Sequence, residues 1–191
     1  AANWNNYGSN TGTSGFLNDS TGAATGVTIS VTGAGLWGSG VGTGDANSKM
    51  LNGYVDGTDN GTNTWTFHNV PAGIYTLISY AYPDSLDGRS SAYTVNGGSE
   101  IDLMSDGNAS YPNFGFVRAT GTGGNYTSGN YIEFDNISPD VNGDIVLSGT
   151  GVFRNYSNGI QLVSVPAPEP TTGVLLGLGM VGLICVARRR I

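Results

Sequence analysis

Short runs that alternate apolar and polar side chains recur between residues 27 and 163, parted by clusters of Asn, Gly, Ser and Asp. A period of two puts successive side chains on opposite faces, the pattern of a half-buried strand. Val27 to Thr32 shows it cleanly. Thr64 to Val70 and Ile74 to Tyr82 are the strongest pair, joined by Pro71-Ala72-Gly73, a connection of the kind that closes a hairpin. Further strands are predicted at Ala92–Val95, Glu100–Met104, Phe114–Ala119, Tyr131–Phe134, Asp144–Ser148 and Gly159–Val163. Their spacing of roughly 8–12 residues signals an all-β sandwich or barrel. Gly33 to Asn47 holds six glycines around Leu36, Trp37 and Val41 and reads as a loop or bulged strand. No stretch before residue 166 keeps a 3.6 period for three turns. The prediction is a single antiparallel β-sandwich, jelly-roll-like, with no helix longer than a turn or two in the body and a hydrophobic helix at the C-terminus.

Composition narrows what holds such a body together. The only cysteine, Cys185, lies in a C-terminal apolar run, so an intrachain disulfide is excluded and the fold rests on packing. The formal charge is -7. Three of the seven basic residues, Arg188, Arg189 and Arg190, stand in the tail, so the body has no basic stripe for phosphates and a nucleic-acid partner is not expected. Ala1-Ala2-Asn3 is the kind of sequence a signal peptidase leaves behind, which reads as a removed signal peptide. Three segments follow: a polar, glycine-rich arm or edge strand over 1–26, the sandwich over 27–165, and a tail over 166–191.

Chemistry-bearing residues are few. His68 is the only histidine, too little for the usual zinc ligand set, and no Gly-x-Ser-x-Gly elbow occurs. His68 sits in an alternating strand just before a turn, where a structural role is expected. Calcium wants several oxygen ligands from a short acidic loop, and Asp56, Asp59 and Asn60 form one such turn. Aromatic rings stack on sugars through their flat apolar faces. Trp37, Tyr54, Tyr82, Tyr111 and Tyr156 fall in or beside loops and are the candidate carbohydrate-binding residues. Trp65, Phe67, Tyr75 and Phe134 fall inside strands and are assigned to the core.

The tail is a detachable unit. Pro166, Pro168 and Pro170 fix an extended hinge. Thr171 to Ala187 carries no charge, and at about 1.5 Å per residue it reaches roughly 25 Å as a helix, short for a hydrocarbon core of about 30 Å. The arginines beyond it would stay cytoplasmic and leave the body outside.

Pro168-Glu169-Pro170, the glycine- and leucine-rich run and Arg188 to Arg190 together resemble the PEP-CTERM sorting signal. That resemblance implies recognition by an exosortase, membrane attachment through the C-terminal tail, and a host that makes extracellular polysaccharide. The body resembles galactose-binding-like or carbohydrate-binding jelly rolls. The residues that carry this are Asp45-Ala46-Asn47, Leu51-Asn52-Gly53-Tyr54, the turn from Val70 to Tyr75, Tyr93-Thr94-Val95-Asn96-Gly97, and Asn158 to Val163. Tyr131 to Asn136 is similar to the opening of the Glu-x-Asp-x-x-Glu motif of laminarinase-type enzymes, but residue 138 is serine where the acid/base glutamate belongs. These resemblances imply an exported, non-enzymatic cell-surface or matrix protein that works by adhesion or by association with extracellular polysaccharide. The alternative is a self-assembling subunit, a homo-oligomer in which the N-terminal arm adds a strand to a neighbour's sheet. A glycosidase using Glu133 and Asp135 is a third reading.

Overall fold

The computed structural model describes residues 5–42, 44–58, 60–151 and 154–166. In chain order the elements are β1 (Thr11–Thr13), β2 (Thr28–Thr32), β3 (Gly35–Gly38), α1 (Ala46–Asn52), β4 (Gly53–Asp56), β5 (Thr62–His68), β6 (Ile74–Tyr80), β7 (Asp87–Val95), β8 (Glu100–Asp106), β9 (Thr127–Ser128), β10 (Tyr131–Ile137), β11 (Ile145–Gly151), β12 (Tyr156–Ser157) and β13 (Gly159–Val165). One sheet runs β1-β2-β5-β11-β7-β8-β9, a second β10-β6-β13 and a third β12-β4-β3. The architecture is a β-sandwich, as the alternating runs predict, and among the described residues the one α-helix is seven residues long. Asp45 caps that helix, its carboxylate accepting from the amides of Asn47 and Ser48. The hydrophobic C-terminal helix expected from the sequence falls outside the described residues. Among the described residues no helix is long and apolar enough to cross a membrane.

Period-two patterning assigns the faces. In the large sheet the register aligns Val31 with Trp65, Trp65 with Leu147 and Leu147 with Val95, and all four side chains are buried. In the second sheet Ile132 lies opposite Ser79, and Phe134 and Leu162 lie opposite Leu77. Leu77, Ser79 and Ile132 are fully buried, and one apolar cluster joins both layers. Gly149 faces Tyr93 across the ladder, and a Cβ there would meet the Tyr93 ring at 2.8 Å, so this position has room only for glycine.

Two expectations need correction. The segments flanking Pro71-Ala72-Gly73 do not form a hairpin, because β5 pairs with β2 and β11 while β6 pairs with β10 and β13. Both strands bury an apolar row, so they gain more by facing each other across the core than by pairing edge to edge. Phe114–Ala119 is not a strand: its backbone is turn and irregular structure with a single bridge from Arg118 to Tyr131, and Phe114 is exposed. A hairpin closes between β7 and β8. The Gly98 amide donates to the Val95 carbonyl at 2.9 Å, and Asn96 and Gly97 both take the positive φ of a type I′ turn. The N-terminal arm supplies β1 to its own sheet, with Thr11, Gly12 and Thr13 opposite Thr32, Val31 and Ser30. That strand pairs with β2 on one side and forms the edge of the large sheet.

Leu77→Ala removes a fully buried side chain from the shared core and is expected to cost about 2–5 kcal/mol in denaturant unfolding. Val163→Ala, on the half-exposed outer face of β13, is expected to stay within about 0.5 kcal/mol.

Candidate functional site

The outer face of the β10-β6-β13 sheet brings together a cluster of four aromatic rings. Side chains that alternate with the buried row point outward, which aligns Tyr131, Tyr80 and Gly159 in one register row and Glu133, Ile78 and Gln161 in the next. Phe116 reaches this face because the bridge from Arg118 to Tyr131 lays its segment along β10. Its ring stands 5.2 Å from Tyr80 and 6.5 Å from Tyr131, both edge to face, and 5.4 Å from Tyr111. Tyr80 and Tyr131 are 6.2 Å apart. The four rings make one strip of half-buried and exposed aromatic surface, bordered by the missing side chain of Gly159.

Planar polar groups flank the strip. Arg118 Nη1 donates to Glu133 Oε1 at 3.0 Å and Nη2 to the Glu133 carbonyl at 3.1 Å, while Nη2 lies 3.9 Å from Asp135 Oδ2. Thr76 Oγ1 donates to Asp135 Oδ1 at 2.8 Å, and the Tyr80 hydroxyl to Gln161 Oε1 at 3.3 Å. Burial, with the charge of Glu133 and the neighbouring Tyr131, pushes the Tyr80 hydroxyl above its usual range and keeps it a neutral donor. Glu133 and Asp135 thus share a strand side, as the sequence suggests, and Arg118 pairs with both. At the other end of β6 an open cleft of about 610 Å³ is lined by Val70, Ile74, Pro139 and Val141 among others and holds no aromatic ring.

The five rings proposed from sequence divide sharply. Tyr54, Tyr82 and Tyr156 are buried, so they offer no face to a sugar. Pairing of β4 with β12 turns Tyr54 and Tyr156 into the core, where they meet edge to face at 5.9 Å. Tyr156 accepts from the Tyr93 hydroxyl through its carbonyl at 2.6 Å and bonds Ser105 through its own hydroxyl. Burial pushes the Tyr93 hydroxyl up to about 12 and raises Tyr156 still further. Tyr111 joins the strip. Trp37 is 57% exposed and lies apart from it, its indole N–H held by Asp84 Oδ2 at 3.2 Å. Sequence reasoning missed Tyr80, Phe116 and Tyr131, which only the sheet pairing brings together.

Asp84 anchors its surroundings. Its Oδ1 accepts from the Tyr54 hydroxyl at 2.9 Å and from Arg89 Nη1 at 2.7 Å. Burial alone would raise this carboxyl, but the bonds from Tyr54, Arg89 and Trp37 and the charge of Arg89 outweigh it and hold Asp84 below the usual range. The expected calcium turn is organised differently from its sequence reading. Asp56 is nearly buried, with Arg154 Nη1 on its Oδ2 at 2.7 Å, so a guanidinium occupies the place of a cation on that oxygen. Asn60 is exposed, and Asp59 lies outside the described residues. Among the described residues no three His, Cys, Asp or Glu side chains are grouped to hold a metal.

His68 has more partners than its sequence position suggested. Its Nε2 lies 2.8 Å from Ser30 Oγ and its Nδ1 3.0 Å from Asp144 Oδ1, the order of a Ser-His-Asp triad. Ser30 Oγ also lies 2.7 Å from Thr13 Oγ1. Ser30 sits in the middle of β2, paired on one side with Thr13 and on the other with Thr66, so its backbone belongs to the ladder and does not form an oxyanion hole. The network braces β1, β2, β5 and the start of β11.

The PEP-CTERM protein-sorting motif matches residues 166–190, which include Pro168, Glu169, Pro170, Arg188, Arg189 and Arg190, all beyond the described part of the chain. It marks the chain as an exported surface protein and implies recognition by an exosortase. No curated protein matches the chain at a significant level. Among solved structures, TmCBM61 in complex with β-1,4-galactotriose is similar at 15% identity with a TM-score of 0.34, over 72% of this chain and 82% of that one.

Replacing Asp84 by Asn tests the anchoring directly. Its carboxyl titrates lower in the folded chain than the unfolded value of about 3.9, so its contribution is full above about pH 4 and is lost as pH falls through the lowered folded value. Melting curves should separate Asp84→Asn from the wild type at pH 7 and converge at about pH 2–3.

Proposed function

We propose that this exported protein is non-enzymatic and associates with extracellular polysaccharide through the outer face of the β10-β6-β13 sheet. The observation that carries the reading is the strip of Tyr111, Phe116, Tyr80 and Tyr131 with Glu133, Arg118 and Gln161 beside it. Pyranose rings present flat C–H faces to aromatic rings and equatorial hydroxyls to planar carboxylate, guanidinium and amide groups. An open sheet face suits an internal stretch of a long polymer better than a chain end, because nothing closes over it. The wide exposure of Trp37 makes it a second contact of the same kind, apart from the strip.

Arg118 pairs with Glu133 and Asp135, and Ser138 stands where the acid/base glutamate belongs, which argues against a glycosidase. The ladder-bound backbone of Ser30 argues against acyl transfer.

Affinity electrophoresis of the full chain through gels of neutral and acidic polysaccharides tests the first half. Phe116→Ala and Tyr131→Ala are each expected to weaken retardation about tenfold, equivalent to about 1.4 kcal/mol of ring stacking. Retention of binding in the double variant would move the site elsewhere. For the second half, a fluorophosphonate probe is expected to leave Ser30 unlabelled by peptide mass spectrometry, and labelling abolished by His68→Gln would reverse the non-enzymatic reading.

A further inference from the structure

Glu100 and Asp102 occupy alternate positions of β8 and so share the outer face of the large sheet. Asp102 would be expected to meet water there. It is instead fully buried, because the chain from Ala119 to Gly129 folds over it. The Asp102 amide donates to the Gly121 carbonyl at 2.8 Å, and Asp102 Oδ2 accepts from the Gly124 amide at 2.6 Å. Gly121 is pressed so closely against the backbones of Asn125 and Asp102 that no Cβ fits. Asp102 Oδ1, inside this enclosure, has no hydrogen-bond partner.

The charge balance is equally incomplete. None of the ion pairs among the described residues includes Glu100 or Asp102. Burial and the close Asp102 carboxyl raise Glu100, and burial, with the charges of Asp102 and Glu100, raises Tyr126. A wholly buried carboxyl oxygen without a hydrogen-bond donor, beside a second carboxyl and with no ion pair, leaves a place for a cation. The free Asp102 oxygen and the second carboxyl are both oxygen donors, which suit a hard cation.

We propose that the loop 119–129 and the Glu100–Asp102 pair form a Ca²⁺ site that staples this loop to the edge of the large sheet. The site is separate from the acidic turn at Asp56 and from the aromatic face, and it does not depend on the polysaccharide reading. Two carboxyls place it with weak extracellular calcium sites, with a dissociation constant on the order of 10⁻⁴ to 10⁻³ M.

The test uses the full chain in mild detergent. Ca²⁺ at about 10 mM is expected to raise the melting midpoint by about 3–5 °C over EDTA, with Mg²⁺ much less effective. Tb³⁺ in place of Ca²⁺ is expected to luminesce under tyrosine excitation and to be displaced by Ca²⁺. Glu100→Gln, at a partly exposed position, is expected to weaken Tb³⁺ binding about tenfold. Tyr126→Phe is expected to dim the emission without changing the affinity. No melting shift with Ca²⁺, or Tb³⁺ binding indifferent to Glu100→Gln, would overturn the site. Stability that rises on mild acidification and ignores Ca²⁺ would show that the pair shares a proton instead.

Discussion

Burial of Tyr156 between the layers is the contact on which the rest of the sandwich depends. Its ring packs on Tyr54 of the neighbouring strand, its carbonyl receives the Tyr93 hydroxyl from β7, and its hydroxyl bonds Ser105 of β8. One residue thereby links the smallest sheet to two strands of the largest. With no disulfide available, such bonds supply the long-range ties that a cross-link would otherwise make. Two residues later Asn158 continues the task. Its side chain donates to the carbonyls of Leu51, Gly53 and Tyr82 and accepts from the Tyr82 amide at the point where the chain leaves β4 and joins β6. The crossover is thus fixed by polar bonds on both flanks, and β13 is delivered in one register against β6.

That register decides what the outer face presents. Tyr80 meets Tyr131 on one side and Gly159 on the other, so two rings stand beside a position with no side chain. A slip of β6 by one residue would turn Leu77 outward and Tyr80 inward. The core and the aromatic face are therefore two sides of one alignment, and a change that disturbs the first disturbs the second.

The strands themselves were legible because period two is a local property. Thr28–Thr32, Thr62–His68 and Ile74–Tyr80 lie within a few residues of where the alternation puts them. The partners were not legible, because pairing is settled by residues far apart in the chain. Pro71-Ala72-Gly73 looks like a hairpin turn and is an arch between sheets, a difference set by β11 and β10, more than fifty residues downstream. For the same reason Tyr54 and Tyr156 read as loop rings but are core. Phe116, Tyr80 and Tyr131 each look unremarkable until the sheet brings them within 6.5 Å of each other. Ser30, His68 and Asp144 come from three distant segments and were equally hidden. The sorting motif was readable outright, since it is a contiguous pattern over 166–190 that needs no fold to be recognised.

The position of β13 has a mechanical consequence. It is the last strand among the described residues, and Val165 hands the chain directly to the segment where the sorting motif begins. Wherever that segment is held, tension enters the body at Val165 and passes to β6 along seven aligned residue pairs, from Val165 opposite Ile74 to Gly159 opposite Tyr80. Pulled from this end with the opposing load on Tyr80, the two antiparallel strands slide past each other and must break their bonds together. They do not peel apart one bond at a time. The same ladder that displays the rings resists drag as a lap joint resists shear.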